Sequence, residues 1–252
     1  MGRYFGLYSV VSLACALAAH ADTATFTPDK DNTLIQDAVG TLSNGAGQQL
    51  FVGRTNQIGN IEIRRALMHF NLSSLPAGAN VTSASLRLVG ESNNNGARTL
   101  VLHRLLQDWG QGTSNSAGRG APATSNDATW IYRFYNPTSP TSSPTWTTPG
   151  GSFSSTNTAS ALCPASGGAF TFTSTSALLS DVNFWLANPA SNFGWELIGD
   201  ESGPKTAKII YSREFSTAAN RPTLTVTYTV PEPALAFLSA LSFLSLRRRP
   251  GP

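Results

Sequence analysis

Three short apolar runs near the C-terminal end of the chain constrain its fold more than any other feature. They cover residues 193–199, 207–211 and 224–228, and glycine, proline and asparagine residues separate them. Short runs bounded by such turn signals are typical of neighbouring antiparallel strands. The last run, Leu-Thr-Val-Thr-Tyr, alternates apolar and polar residues, which predicts a strand with one buried and one solvated face.

The preceding residues repeat this pattern as far back as residue 23. Further strands are predicted at residues 23–27, 33–36, 50–53, 66–70, 81–89, 99–105 and 130–135. Residues 177–187 have helical spacing of apolar side chains and predict one short helix. About ten short strands without an internal repeat predict an all-β, jelly-roll-like antiparallel sandwich of two sheets. Residues 108–128 and 137–160 form long polar loops, and loops of this length are functional or mobile.

The first 21 residues have the composition of a targeting segment. A basic Arg3 precedes an apolar run, and the segment ends in Ala19-His20-Ala21, a small-residue cleavage signal before Asp22. This order is typical of a secretory signal peptide, which signal peptidase removes. An uncleaved membrane anchor is the alternative, but an apolar run of about 16 residues is short for a span of about 20.

The last 23 residues form a second segment of distinct composition. Pro231, Glu232 and Pro233 precede an uncharged run at 234–246, and Arg247, Arg248 and Arg249 follow it. A helix of about 13 residues is about 20 Å long, less than the ~30 Å hydrocarbon core of a bilayer. The pattern predicts transient insertion into the inner membrane, with the arginines on the cytoplasmic side. A permanent C-terminal transmembrane helix is the alternative. The predicted domains are therefore 1–21, 22–229 and 230–252.

The basic net charge comes from the two ends and not from the predicted sandwich. The whole chain has 17 Lys and Arg against 14 Asp and Glu. Removing Arg3, the three tail arginines and Glu232 leaves 13 of each sign in residues 22–229. A domain without net positive charge lacks the basic surface that binds the phosphates of nucleic acid, so nucleic acid is not an expected partner.

No motif of a known catalytic class is present, which favours a protein without enzymatic activity. The sequence contains no Gly-x-Ser-x-Gly, no His-Glu-x-x-His and no phosphate-binding loop. A polysaccharide lyase or glycoside hydrolase is the main alternative. Its acid and base would come from five residues, although structural ion pairs and structural histidines explain the same residues: His69, His103, Asp200, Glu201 and Glu214.

Aromatic and arginine side chains beside the long loops are the candidate ligand-binding residues. The aromatic candidates are Trp109, Trp130, Tyr132, Tyr135 and Trp146. Exposed rings would offer a sugar a flat apolar surface, whereas packing against the core is the alternative. Arg65 and Arg104 are candidate partners for sugar carboxylates, because arginine binds carboxylates with two hydrogen bonds.

Clustered oxygen ligands near the start of the domain suggest a metal site. Asp29, Asp31 and Asn32 offer the carboxylate and amide oxygens that Ca²⁺ prefers. The rest of an EF-hand pattern is absent, so the prediction is a structural Ca²⁺ of a β-sandwich.

Several of these motifs resemble DNRLRE-type domains. The resemblance rests on the runs NPxSNFGWEL, GDE, SRE and RPTLTVTY, on the upstream runs NxxG and RALMHFNLSSLP, and on WTTPGG. These domains are exported β-sandwiches, and some relatives bind acidic polysaccharides such as alginate. Ser152 and Asn71 stand where the family often has aspartate. The tail resembles the PEP-CTERM sorting signal of Gram-negative bacteria, on which an exosortase acts.

Together, these resemblances imply an exported protein of the cell surface, extracellular matrix or biofilm that binds an extracellular polysaccharide, acidic in type, without cleaving it. A purely structural extracellular protein without a ligand is a further alternative.

Overall fold

The computed structural model describes residues 20–59 and 61–230. The predicted processing residues Ala19, Pro231, Glu232 and Pro233 lie outside this range, as does the predicted sorting helix at 234–246. Ala21 lies inside it and is the first residue of the first strand. No helix within the described ranges is long and apolar enough to cross a membrane.

Antiparallel strands make up most of the described chain. In chain order they are β1 (Ala21–Phe26), β2 (Lys30–Ile35), β3 (Leu42–Ser43), β4 (Gln49–Arg54), β5 (Ile63–His69), β6 (Asn80–Gly90), β7 (Arg98–Arg104), β8 (Ala121–Pro122), β9 (Ala159–Cys163), β10 (Gly168–Phe172), β11 (Trp195–Ile198), β12 (Lys208–Tyr211) and β13 (Thr223–Thr229). One α-helix, α1 (Ser176–Ala187), lies between β10 and β11, and short 3₁₀ turns occupy Pro140–Ser142, Pro189–Ser191 and Ala218–Asn220.

The long strands form two sheets that share β4. In the first sheet, β13 lies between β1 and β6, β10 pairs with the other edge of β6, and β12 joins β6 to β4. In the second sheet the order is β2-β5-β11-β7-β9, and the end of β4 pairs with β5. The short strands β3 and β8 pair separately. The predicted all-β class with antiparallel sheets and one short helix is confirmed, while the jelly-roll connectivity stays a prediction.

The main hydrophobic core lies between the two sheets. Alternate residues of each strand enter it, as period-two patterns require. Leu224 and Val226 of β13 and Leu86 and Leu88 of β6 meet Trp195 and its neighbours from the second sheet. This arrangement explains why the short alternating runs of the sequence each bury one face.

Helix α1 closes one end of this core. Thr175 caps its N-terminus, because the Thr175 hydroxyl oxygen accepts a hydrogen bond from the Leu178 backbone N–H at 3.0 Å. Leu178, Val182 and Trp185 are buried on one face. The prediction of a helix at 177–187 is confirmed.

A second hydrophobic core covers the outer face of the second sheet. Leu34 of β2 and Leu67 of β5 point away from the main core and pack against residues of the long connection between β7 and β9. We call residues 105–158 the loop layer. The loop layer is therefore a third layer of the fold rather than a pair of solvated loops.

The strand predicted at residues 130–135 is wrong. Only an isolated bridge between Tyr132 and Thr145 is present there. The backbone groups of this segment instead join parts of the loop layer: Arg133 O accepts from Gly110 N at 2.9 Å and Ile131 O accepts from Trp146 N at 3.0 Å. Residues with high strand propensity thus form the centre of a folded loop, because tertiary contacts outweigh the local strand propensity here.

Candidate functional site

The aromatic candidates of the loop layer point mostly into the protein. Trp109 is 0% exposed, Trp146 4%, Tyr135 8% and Trp130 9%. Of the two alternatives, exposed rings and packed rings, the structure shows packing for all four. The three tryptophans pack over Leu67 and its neighbours. Their role in ligand binding stays a prediction, and it would require the loop layer to open.

Hydrogen bonds of the indole groups confirm that the rings are part of the packing. Trp109 Nε1 donates to the Phe193 carbonyl at 2.9 Å, and Trp146 Nε1 donates to the Thr129 carbonyl at 2.9 Å. Buried indole N–H groups need such acceptors. One of these hydrogen bonds therefore lies within the loop layer, and the other joins the loop layer to the segment that leads into β11.

Tyr132 differs from the other four aromatic candidates, because it is half-buried. Its ring lies 5.7 Å from that of Tyr135, tilted by 47°. Of the five predicted aromatic residues, Tyr132 is the one whose ring a ligand can reach without a change in the loop layer.

Arg65 of β5 is held by carboxylates of its own chain. Its Nε and Nη2 donate to the two Glu201 oxygens at 2.7 and 3.0 Å, and Nη1 donates to the Gly150 carbonyl at 2.9 Å. The guanidinium also lies over the Trp130 ring, 5.2 Å from its centroid. Burial disfavours the charge, but the Glu201 bonds and the Glu196 charge outweigh burial and raise the pKa of Arg65. A sugar carboxylate would have to displace Glu201, so the predicted ligand role stays untested.

Glu196 of β11 is fully buried beside this arginine. Its Oε1 lies 3.7 Å from Arg65 Nη1, which is close enough for an ion pair but too long for a hydrogen bond. Neither carboxylate oxygen has a hydrogen-bond partner. Burial raises the pKa of Glu196 well above its usual range, because desolvation disfavours the charged form.

Gly151 covers the Glu196 carboxyl group and explains the Gly-Gly pair of the sequence. Gly151 has φ +110°, and a Cβ at this residue would lie 2.0 Å from Glu196 Oε2. Any larger residue would therefore combine backbone strain with a clash. The glycine allows the backbone of the loop layer to approach the buried carboxyl group.

The raised pKa of Glu196 predicts that the protein loses stability as the pH rises. The folded chain keeps this proton at pH values where the unfolded chain, with an ordinary pKa of 4.5, has lost it. Stability from this group is complete below the ordinary pKa and is lost as the pH rises through the folded-state value. We expect Glu196→Gln to reduce the fall in unfolding free energy between about pH 5 and pH 8, measured with urea.

Glu201→Gln is the matched control for that experiment, because it removes the charged partner of Arg65 and leaves Glu196 in place. We expect it to destabilise the protein and to weaken the pH dependence only in part, because burial is the largest cause of the raised Glu196 pKa and the Glu201 charge a smaller one. Equal pH dependence in the wild type and Glu196→Gln would contradict the prediction.

Arg104 of β7 is also paired within the fold. Its Nε lies 3.0 Å from Asp181 Oδ1, and its guanidinium lies 4.7 Å from the Phe184 ring centroid. Asp181 Oδ2 accepts hydrogen bonds from Trp195 Nε1 at 2.9 Å and from the Thr158 hydroxyl at 2.7 Å. Arg104 therefore neutralises a carboxylate that organises the main core, and its predicted contact with a sugar stays untested.

The three predicted metal ligands do not converge on one site. Asp29 pairs with His69, whose Nδ1 lies 2.5 Å from Asp29 Oδ1. Asn32 Oδ1 accepts hydrogen bonds from the Ser43 hydroxyl at 3.0 Å and from the Asn44 backbone at 3.3 Å. Asp31 and Asn32 are neighbours on a strand and face opposite sides. In the described part of the chain, no three His, Cys, Asp or Glu residues are grouped to hold a metal. The three predicted ligands thus have different partners within the fold, and the structural Ca²⁺ stays a prediction.

Asp31 instead faces Glu214, from the segment after β12. Asp31 Oδ2 accepts from the Arg213 backbone N–H at 2.7 Å, whereas Asp31 Oδ1 and Glu214 Oε2 are buried without hydrogen-bond partners. Burial and then the Glu214 charge raise the pKa of Asp31 well above its usual range. Two adjacent carboxyl groups that cannot both ionise explain the two unpaired oxygens.

The residues considered for catalysis are occupied in separate places. His103 Nδ1 lies 3.0 Å from the Ser154 carbonyl. Asp200 lies 3.8 Å from Arg98, and Glu214 lies 2.8 Å from Arg213. Each carboxylate of this set therefore lies in an ion pair with an arginine of the same chain, as the structural interpretation expects.

A cavity of about 800 Å³ opens at the end of the sandwich that α1 closes. One wall is the β5–β6 connection, residues 71–79, and the other is the C-terminal half of α1 with the turn after it. Leu72, Leu75 and Trp185 provide buried apolar surface. Its volume falls within the roughly 300–1,000 Å³ of small-molecule sites.

Polar side chains lie at the floor and rim of this cavity. His69 bridges Asp29 and the Asn192 carbonyl, at 2.5 and 3.1 Å. Burial alone would raise the pKa of Asp29, but the hydrogen bond and charge of His69 outweigh burial and lower it. Asp29 is therefore a carboxylate at neutral pH, and it can accept hydrogen bonds from hydroxyl groups.

Sequence reasoning missed this cavity because its two walls are about 110 residues apart. Asn71 was singled out only because it stands where the related family often has aspartate, Asn183 belonged to no motif, and Trp185 belonged only to the predicted helix. The signal for the cavity that the sequence offered was the run of turn-forming residues after β5. This run follows a histidine on that strand.

Comparison with known families finds one match. Residues 22–136 match the sequence profile of carbohydrate-binding module family 96. No curated protein gives a significant match to the chain. The matched part contains β1 to β8, the start of the loop layer and one wall of the cavity, whereas α1 and the later strands lie outside it. The N-terminal part of this fold is therefore similar to a family of carbohydrate-binding modules.

Proposed function

We propose that the protein is a non-catalytic carbohydrate-binding protein. The observation that carries the proposal is the match of residues 22–136 to carbohydrate-binding module family 96. Glu214, His103 and Asp200 each have a different partner within the fold, which favours structural roles for them and supports binding without cleavage.

An extracellular polysaccharide is the partner in this proposal. An acidic polymer such as alginate is the type that the DNRLRE resemblance implies, and it is one of the two classes to be compared. The guanidinium groups of Arg65 and Arg104 are paired with Glu201 and Asp181, so an acidic polymer would need other cations.

Affinity electrophoresis of the full chain in gels containing acidic and neutral polysaccharides tests this function. We expect retardation by at least one polymer and no change in the length of the polymer. Retardation by none of them would support a purely structural protein, and shortening of a polymer would support a lyase or hydrolase. If alginate is the ligand, retardation should weaken with salt, because screening shortens to about 8 Å at physiological ionic strength.

We further propose that the protein is exported through the inner membrane and routed to the cell surface or matrix by a PEP-CTERM tail. The signal Ala19-His20-Ala21 and the Pro231-Glu232-Pro233 motif support this proposal. The mature protein is expected to begin at Asp22 and to end near residues 230–233. Intact mass spectrometry of surface or secreted material measures both ends, and a mature species that retains Arg247 to Arg249 would indicate a permanent anchor.

A further inference from the structure

We propose that the cavity between the β5–β6 connection and α1 is the sugar-binding site, and that it takes an uncharged sugar residue of a glycan. This inference rests on the proposed carbohydrate-binding function and adds the place and the class of ligand. Its first support is geometric, since the cavity has a volume of about 800 Å³, within the roughly 300–1,000 Å³ of small-molecule sites.

An unpaired buried donor is the second support. Trp185 lines the cavity and is 1% exposed, and its Nε1 has no hydrogen-bond partner among the described residues. The buried indoles of Trp109, Trp146 and Trp195 all donate to an oxygen. A buried donor without an acceptor costs roughly 1–3 kcal/mol, which a sugar hydroxyl or ring oxygen would recover.

The walls combine the two kinds of surface that a pyranose presents. Leu72, Leu75 and Leu186 form an apolar side for the C–H face of the ring. Asn71 provides an amide group at the rim, because its Oδ1 accepts from the Ser73 backbone and its N–H₂ group is left for other acceptors. The Asn183 amide also lines the cavity, but its oxygen and its nitrogen are both bonded to the Val81 backbone. A mostly apolar pocket with a few placed polar groups is the usual form of a small-molecule site.

The charge of the cavity decides between neutral and acidic sugars. Asp29 and His69 are its only titratable lining residues in the described chain, and no arginine or lysine lines it. The His69 ring nitrogens are used by Asp29 and by the Asn192 carbonyl. The His69 ring is already paired with Asp29, so a uronate carboxylate would meet the Asp29 carboxylate with no unpaired cation to offset the repulsion. Hydroxyl groups of a neutral sugar would instead donate to it.

Blocking the cavity from its rim tests the proposal without disturbing the core. Ala187 is exposed and lines the cavity, whereas Ala190 is exposed in the adjoining turn and does not line it. We expect Ala187→Trp to weaken binding about tenfold or more, a change of about 1.4 kcal/mol, and Ala190→Trp to leave it unchanged. Ala77→Trp places the same side chain on the opposite wall and is expected to act like Ala187→Trp.

The probes are cellohexaose and mannohexaose as neutral chains and an alginate hexamer as the acidic chain, titrated into the full chain by calorimetry. Thermal unfolding of each variant shows that the fold is kept. Tighter binding of a neutral hexamer, lost in Ala187→Trp and Ala77→Trp but not in Ala190→Trp, is the expected result.

Two groups of outcomes overturn the inference and leave the proposed function standing. Neutral binding that survives both rim variants overturns the location. Preferential binding of the alginate hexamer overturns the class of ligand, whether or not the rim variants weaken it. Retardation by no polysaccharide in the electrophoresis experiment overturns the proposed function itself, and the inference falls with it.

Discussion

Replacing Trp195 by alanine is expected to destabilise the protein by about 3–5 kcal/mol, the usual cost of truncating a buried tryptophan. Trp195 is 0% exposed in the centre of the main core. Its ring lies 4.5 Å from that of Trp185 and 6.0 Å from that of Phe70. Its Nε1 donates to Asp181, so the substitution also leaves a buried carboxylate with one partner fewer.

Urea unfolding of the wild type and Trp195→Ala measures this loss. Leu162→Ala is the control, because Leu162 lies on β9 and is 61% exposed, and exposed substitutions usually change stability by about 0.5 kcal/mol or less. A loss below about 1 kcal/mol for Trp195→Ala would show that the register of β11 is wrong.

Replacing Trp146 by alanine is expected to cost about 3 kcal/mol or more, again the range for a buried aromatic ring. Trp146 is 4% exposed, and its Nε1–H⋯O bond to the Thr129 carbonyl lies inside the loop layer. The sequence-based hypothesis expects a different result, a loss of sugar binding without loss of stability. The structure therefore changes the expected effect from binding to stability.

Leu106→Ala is the control for Trp146→Ala, because Leu106 belongs to the same loop layer and is 48% exposed. Both variants are measured by urea unfolding and by calorimetry with the hexamers. Wild-type stability of Trp146→Ala together with weakened hexamer binding would restore the interpretation of Trp146 as a ligand residue.

Placing the candidate site at the cavity moves it from the residues that the sequence singled out to residues that it did not. Trp109, Trp130 and Trp146 have the composition of a sugar platform, but their rings complete a second core. Asn71, Asn183 and Trp185 line the cavity, and the sequence analysis assigned none of them to ligand binding. The composition of the sequence indicated aromatic and apolar contacts with a sugar, whereas the topology of the fold determines which side chains are positioned for such contacts.

The sequence by itself determined the class of fold and most of its elements. Period-two alternation in residues 81–89 and 224–228 predicted β6 and β13, and helical spacing in 177–187 predicted α1. These patterns are local. A strand that buries one face has apolar side chains at every second residue, and a helix that buries one face has them at every third or fourth residue. The segment at 130–135, whose composition resembles a strand, was assigned to the wrong structure, and the strands β3, β8, β9 and β10 were not predicted.

The tertiary structure alone decided which charged and aromatic groups are available. Arg65 meets Glu201 across 136 residues, and Asp31 meets Glu214 across more than 180. Such pairs form because burial of a charge requires a partner, and the partner is chosen by the packing of the sheets and not by spacing along the chain. For the same reason the cavity exists only where the β5–β6 connection and α1 meet, and no local pattern of residues encodes it.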